Sequence, residues 1–399
     1  MDKSLDRFLR YVKVDTQSDD TSFSVPSQAK ELNLSRMLQA ELKDMGIESY
    51  INEFGILYGK LPGEKGLDPI GLNSHVDTAL ECSGKDVKPR IVSNYDGGYI
   101  ELNEKFRMSP KEFPTLGEHI GDDLVVTSGD TLLGADDKAG VAIIMAVLYH
   151  YVTHPEERHH TICFCFTPDE EIGRGPDHFN AKEFGAKYAY TIDGGIWNEI
   201  ATETFNAAHA TVKVSGISIH PGEAKGKMVN AANVAMAFDA ELPALKRPQF
   251  TEGKEGFNHL VEMSGGTDKA VLRYIIRNHS REELDNQKEE FRTAAKAVEE
   301  KFPGARVELD IGDDYRNMKE VLDAHPEAVN KAIDAFHRLG FEPVFQPIRG
   351  GTDGATFSFK GCPTPNLGTG SYNHHGRFEY LSVMEFHRMI DIVKEIVKA

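Results

Sequence analysis

The chain has 399 residues, 40% of them hydrophobic, enough for two domains with real cores and too apolar for a disordered chain. Its formal net charge of −18 argues against nucleic acid or an anionic membrane as partner, since both demand basic patches. Four cysteines, Cys82, Cys163, Cys165 and Cys362, make no disulfide framework at this length, and no stretch approaches the roughly 20 apolar residues of a membrane span.

The opening segment, MDKSLDRFLRYVKVDTQS, is charged early and lacks a signal-peptide core, so it reads as an amphipathic helix of a cytoplasmic protein. In SQAKELNLSRMLQAELKDMG, the residues Leu34, Met37, Leu38, Leu42 and Met45 recur at helical spacing before Gly46 stops the helix. DPIGLNSHVDT is a short apolar run that turns polar, a strand with a functional end. Residues 81–126, rich in Pro and Gly, read as a loop or hairpin insertion. KAGVAIIMAVLYHYVTH is a buried helix, and TICFCFTP and KYAYTIDGG are strands ending in acid-rich turns. This alternation predicts an α/β fold with substantial parallel pairing.

The texture changes near Thr204. HATVKVSG, NAANVAMAFDAELP, HLVEMSG, KAVLRYIIRN, REELDNQKEEFRTAAKAVEEKF and ARVELDIGDDYR follow in the order β-α-β-β-α-β of a small two-layer domain. From Asn317 the αβ texture returns. The expected organisation is a mixed-sheet α/β domain over 1–204 and 317–399, interrupted by an inserted α+β lid over 205–316.

The metal-capable side chains fall at the ends of these elements. His75 and Asp77 follow one strand, Glu170 and Glu171 a second, and Asp193 a third. Asp136 and Asp137 open the helix that begins at Lys138, and His374 and His375 lie just past TPNLGTG. Each has an ordinary reading: Asp136 or Asp137 as a helix N-cap, Asp193 as turn chemistry, the glutamates as an acidic turn. Together they point to a metal site, because ligands of open α/β sheets gather outside the carboxyl ends of the strands. Mixed imidazole and carboxylate donors suit zinc, with manganese or cobalt as substitutes. The acids outnumber what one zinc needs, which predicts two ions about 3.5–4 Å apart sharing a carboxylate. One of the adjacent glutamates then ligates metal while the other serves as general base for activated water.

The segments GLNSHVDT, LLGADDKAG, TPDEEIGRG, YTIDGG, HPGEAKGKMVNA, PIRGGTDGA and YNHHG, in order along the chain, resemble the peptidase T branch of the di-zinc exopeptidases. That group also contains carboxypeptidase G and several dipeptidases and deacylases. The resemblance implies that His75, Asp136 and Asp193 hold one zinc and that Asp136, Glu171 and His375 hold the other. It further implies that Asp77 orients His75, that Glu170 is the general base, and that the Asp136–Asp137 peptide is cis. Two histidines stand together in YNHHG; alignment on the following glycine selects His375 and leaves a role for His374 open. His220 would close over the site from the lid and stabilise an oxyanion, while Arg349 and Arg277 would grip the substrate's carboxylate.

The expected activity is release of the N-terminal residue from tripeptides by di-zinc-activated water. Related dipeptidase, carboxypeptidase and N-acyl amino acid deacylase activities are the alternatives within the group. An inactive binding homologue is the alternative outside it, opposed by the intact ligand set. The chain contains no GxxxxGK[ST], GxSxG or HExxH pattern, which removes support for nucleotide-dependent, serine-hydrolase and zincin readings. The expected partner is a small peptide, with a homodimer possible through the lid's exposed sheet edge.

Overall fold

The computed structural model describes residues 3–399. They form two compact units: the chain up to Thr202 with Met318–Gln346 and Thr352–Ala399, and Glu203–Asn317 with Pro347–Gly351.

The first unit is built on an eight-stranded mixed sheet. Its strands run in the order Ser49–Ile51, Leu57–Leu61, Ile162–Thr167, Ile70–His75, Tyr188–Gly194, Asn366–Gly368, Glu199–Ala201, Val344–Phe345. The four central strands, from Ile162–Thr167 to Asn366–Gly368, are parallel to one another, so their carboxyl ends share one edge. Ile162–Thr167 and Ile70–His75 are buried along their whole length, as expected of strands covered on both faces. Alternation still sorts their side chains. Ile162, Phe164 and Phe166 enter the main core, while Cys163 and Cys165 pack on the other side with Phe179, Phe184, Phe357 and Cys362. The cysteines are apolar filler, as their spacing suggested.

The helix Ala135–Thr153 lies against the strands Ile70–His75 and Tyr188–Gly194 and beneath the helices Lys3–Tyr11 and Val383–Val397. From Ala139 to Leu148 it is apolar on every face because every face is covered, and its last turn, with Tyr149, His150 and Thr153, reaches the surface. Val141, Ile143, Ile144, Val147 and Leu148 are all fully buried, each contributing about 1.5–3 kcal/mol. Gly140 permits the closest approach: a Cβ there would stand 1.9 Å from the Ile192 carbonyl oxygen and 2.5 Å from Ser74 Oγ. The start of this helix is thereby set against two strand ends.

Residues 81–126 are more ordered than the sequence reading allowed. Arg90–Val92 and Leu124–Val126 join Tyr380–Ser382 and Ser371–Tyr372 in a four-stranded antiparallel sheet, and Ile100–Glu101 pairs with Arg107–Met108. Tyr95, Ile100, Leu102, Met108, Leu116, Leu124, Val126 and Tyr380 give this region a core of its own. Strands of two or three residues carry no periodicity, and one partner lies at the far end of the chain, which is why local pattern missed them. This sheet brackets the segment holding His374 and His375.

The second unit has the β-α-β-β-α-β order expected from the sequence. Its strands lie in the order Phe257–Gly265, Lys269–Asn278, Asn206–Ser215, Arg306–Tyr315, all antiparallel. The helices Ala231–Glu241 and Arg281–Lys301 cover the sheet around Val212, Val234, Phe238, Leu272, Tyr274, Phe291 and Val298. Pro347–Gly351, inside the stretch expected to rejoin the first part, groups with this unit. Arg349 explains it: Nη1 donates to the carbonyls of Gly253 and Glu255, Nη2 to Thr251 Oγ1, and the guanidinium lies over the Phe205 ring.

Candidate metal centre

The register of the central strands brings the acids and imidazoles together. His75 is level with Thr167, the last residue of the neighbouring strand, and Asn73 faces Thr191, so Asp193 reaches the same level two residues on. The buried helix start supplies Asp136 from beside these ends, across a cis Asp136–Asp137 peptide.

Asp136 occupies the middle of the cluster. Its Oδ1 is 2.9 Å from His75 Nε2, and its Oδ2 is 3.3 Å from His375 Nε2. His75 Nε2 is also 3.5 Å from Asp193 Oδ1, and His375 Nε2 is 3.1 Å from Glu171 Oε2. One carboxylate therefore faces two imidazoles, with Asp193 beside one and Glu171 beside the other. Glu170 stands further out, its Oε2 4.0 Å from His75 Nε2. His374 offers Nδ1 at 3.7 Å from Asp136 Oδ2, but Ser371 Oγ holds its other ring nitrogen at 2.8 Å. The geometry gives His375 Nε2 two carboxylate neighbours and His374 one.

Asp137 is turned away. Its Oδ1 accepts from Gly140 N at 3.2 Å and its Oδ2 from His75 N at 3.2 Å. It is the N-cap of the regular helix, satisfying an otherwise orphaned donor. The cap reading, open from the sequence for either aspartate, falls to Asp137, while Asp136 faces the two imidazoles. Asp137 also lies within reach of a group with His75 and Asp193, with each of its oxygens accepting one backbone hydrogen bond.

Asp77 is fully buried. Its Oδ1 lies 3.3 Å from His75 Nδ1, and its two oxygens accept from the backbone amides of Glu170 and Glu171 at 3.1 and 3.2 Å. The same carboxylate thus lies beside the imidazole, whose Nδ1 is also 3.1 Å from the Asp77 carbonyl oxygen, and beside the acidic turn.

The charges of the cluster do not balance by themselves. Burial opposes a charge on His75, yet Asp193 and Asp136 outweigh it and hold the ring's proton affinity well above the ordinary value. Contact with Asp136 and then Glu171 pushes His375 up to about 12. Burial, reinforced by Asp136, raises Glu171 to about 8; burial raises Glu170 and Asp193 as well. Burial is the first cause in all three acids, and a cation among them would draw their proton affinity back down. Glu171 Oε1 is buried with no hydrogen-bond partner, a costly state for a carboxylate. Two atoms each about 2.1 Å from one tetrahedral ion stand roughly 3.4 Å apart, and the nitrogen–oxygen separations of this cluster run from 2.9 to 3.5 Å. The residues fit divalent cations, with His75, Asp136 and Glu171 forming one group able to share an ion.

Three of the expected functional residues lie in the second unit. His220 follows an exposed stretch, and its Nδ1 accepts from Gly222 N at 3.1 Å. Arg277 donates to the carbonyls of Ala208 and Ile276 and lies 3.6 Å from Asp314 Oδ2. Arg349 is held as described above.

Other residues had no role in the sequence reading. Asp169, first of the three acids, has φ of 60° and accepts Ser27 N with both oxygens, at 3.0 and 2.8 Å. Its own amide donates to Glu31 Oε2 at 3.1 Å. It ties the N-terminal loop to the acidic turn. Asp353 is buried beside Thr167 Oγ1, which donates to it, and burial raises its carboxyl to about 7. Glu81 Oε1 lies 3.3 Å from His375 Nδ1. Asp353 lies in the RGGTDGA segment, from which the sequence reading drew only Arg349; nothing local marks Glu31 or Glu81.

Residues 132–399 match the family described as Peptidase family M20/M25/M40. A peptidase T from a Geobacillus species is 46% identical over 399 residues, 99% of this chain and 97% of the relative. The peptidase T of Bacillus subtilis shows the same identity and coverage. Among solved structures, the aminopeptidase PepT of Bacillus cereus superposes with a TM-score of 0.78 at 23% identity, covering 99% of this chain and 97% of that one. A dinuclear metal-binding peptidase of the M20 family from Bacillus subtilis superposes at 0.64 and 14% identity, over 99% and 96%. These structures share the two-unit fold. With its length matched almost end to end by such relatives, the chain belongs to the peptidase family M20/M25/M40.

Proposed function

We propose that the protein is a zinc-dependent aminopeptidase that releases the N-terminal residue of tripeptides. His75, Asp136 and Asp193 would hold one zinc, and Asp136, Glu171 and His375 the second. The observation that carries this reading is the Asp136 carboxylate, its two oxygens turned to His75 and His375 at 2.9 and 3.3 Å. Manganese or cobalt can substitute in such a donor set.

When bound, the ions supply Lewis acidity toward the scissile carbonyl and make water easier to ionise. Glu170 takes a proton from the attacking water and delivers it to the leaving amine. Its carboxyl suits that work, because burial raises its proton affinity while the Asp77 carboxylate holds its backbone in place. Asp77 keeps His75 in the orientation that presents Nε2 to the cluster. His220 is proposed to stabilise the developing oxyanion, and Arg277 and Arg349 to receive the peptide's carboxylate. The present partners of both arginines, Asp314 and the Thr251–Glu255 loop, would then share them with substrate.

Among the described residues no helix is long and apolar enough to cross a membrane, and a cytoplasmic location is part of the proposal. So is a homodimer: the edge strand Phe257–Gly265 leaves Val261 and Met263 exposed, and edge pairing with a second copy would cover them.

The reading is tested by a peptide panel on zinc-loaded protein. Tri-alanine should lose its N-terminal residue, while di-alanine and N-acetyl-alanine should remain largely intact. Release from the carboxyl end, or faster turnover of di-alanine, would assign the chain to another activity of its family.

A further inference from the structure

We infer that Glu379 is the positioning residue that sets the Asp136 carboxylate between its two donor groups. The inference rests on the two-metal reading of the cluster. Glu379 is 1% exposed and touches none of the proposed ligand atoms. Its Oε2 accepts from the backbone amides of Leu133 and Gly134 at 2.7 Å each, and its Oε1 from the amide of Asp136 at 3.0 Å. The chain is thus pinned just before Asp136 and at Asp136 itself. Glu379 also belongs to the segment that presents His375, its own amide donating to Gly376 O at 3.2 Å. One buried side chain joins the two backbones that carry the bridging acid and the second imidazole.

A carboxylate is the group this cradle demands. Three N–H donors converge on it, and only an acceptor-only side chain satisfies them all. A glutamine of the same shape would turn an NH2 against at least one of those donors, and the loop would shift to relieve it. Ligand orientation at metal centres depends on such supporting contacts, whose loss typically costs 10–100-fold in metal affinity.

The experiment is a zinc titration of the full chain against a competing chelator, comparing the parent with Glu379→Gln. The expected result is two zinc ions in both proteins, one of them bound 10–100-fold more weakly in the variant, with a changed visible spectrum when cobalt replaces zinc. Asp122→Asn is the control: that buried acid accepts from Ser382 Oγ and Met384 N and should leave zinc affinity at the parental value. Parental affinities for both ions in Glu379→Gln would overturn the inference while leaving the two-metal reading intact. A parent that takes up no zinc would overturn both. Should Glu379→Gln not fold, amide hydrogen exchange of the metal-free parent decides. The Leu133, Gly134 and Asp136 amides should be protected, and exchange at open-loop rates would refute the cradle.

Discussion

Glu170→Gln is expected to retain two zinc ions per chain and to lose activity by a factor on the order of 10²–10⁴, the usual worth of a general base. The two properties separate because Glu170 lies outside the shortest contacts: its carboxylate is 4.0 Å from His75 Nε2, whereas Asp136 is at 2.9 Å. Its amide bond to Asp77 belongs to the backbone and survives the substitution. Burial is the main cause of its raised proton affinity, with Asp193, Asp353 and Glu171 adding to it and His75 opposing. Glutamine keeps the shape and cannot take a proton. Steady-state turnover of tri-alanine beside metal analysis reads both properties. A variant within a few-fold of the parent would remove Glu170 from the role of base.

Asp136→Asn should have an effect at least as large, through metal content. The native carboxylate gives one oxygen to each side of the cluster. Asparagine has a single acceptor oxygen and no charge, so one side loses its ligand and the other loses half of its anionic neighbour. Zinc should fall from two per chain to one or fewer, with tri-alanine cleavage at background. The neighbouring Asp137→Asn supplies the contrast. It loses one of the bonds to His75 N and Gly140 N, at a cost of about 1–3 kcal/mol in stability because a buried donor is left unpaired, and should still bind two ions. Equal metal loss in the two variants would deny Asp136 its special place.

Much of the proposed centre was legible in the sequence because His75, Glu171 and Asp193 stand where an apolar run turns polar. GLNSHVDT and YTIDGG expose the pattern directly, and parallel pairing then places His75 and Asp193 at one level. The two-layer unit was legible for a similar reason, since its long strands and amphipathic helices carry full periods. What escaped depends on distant partners. Asp169 was visible as one of three adjacent acids, but its bonds to Ser27 and Glu31 reach far back along the chain. Glu379 meets the Leu133 loop from the other end of the molecule. Arg349 draws Pro347–Gly351 into the second unit through carbonyls that no motif announces. Side chains that serve distant backbone leave no local period to read.

The most direct measurement is anomalous X-ray scattering at the zinc edge from crystals of the zinc-loaded chain. It should show two peaks, one beside His75 and Asp193 and one beside Glu171 and His375, with Asp136 between them. A single peak, or a pair that does not share Asp136, would contradict the account.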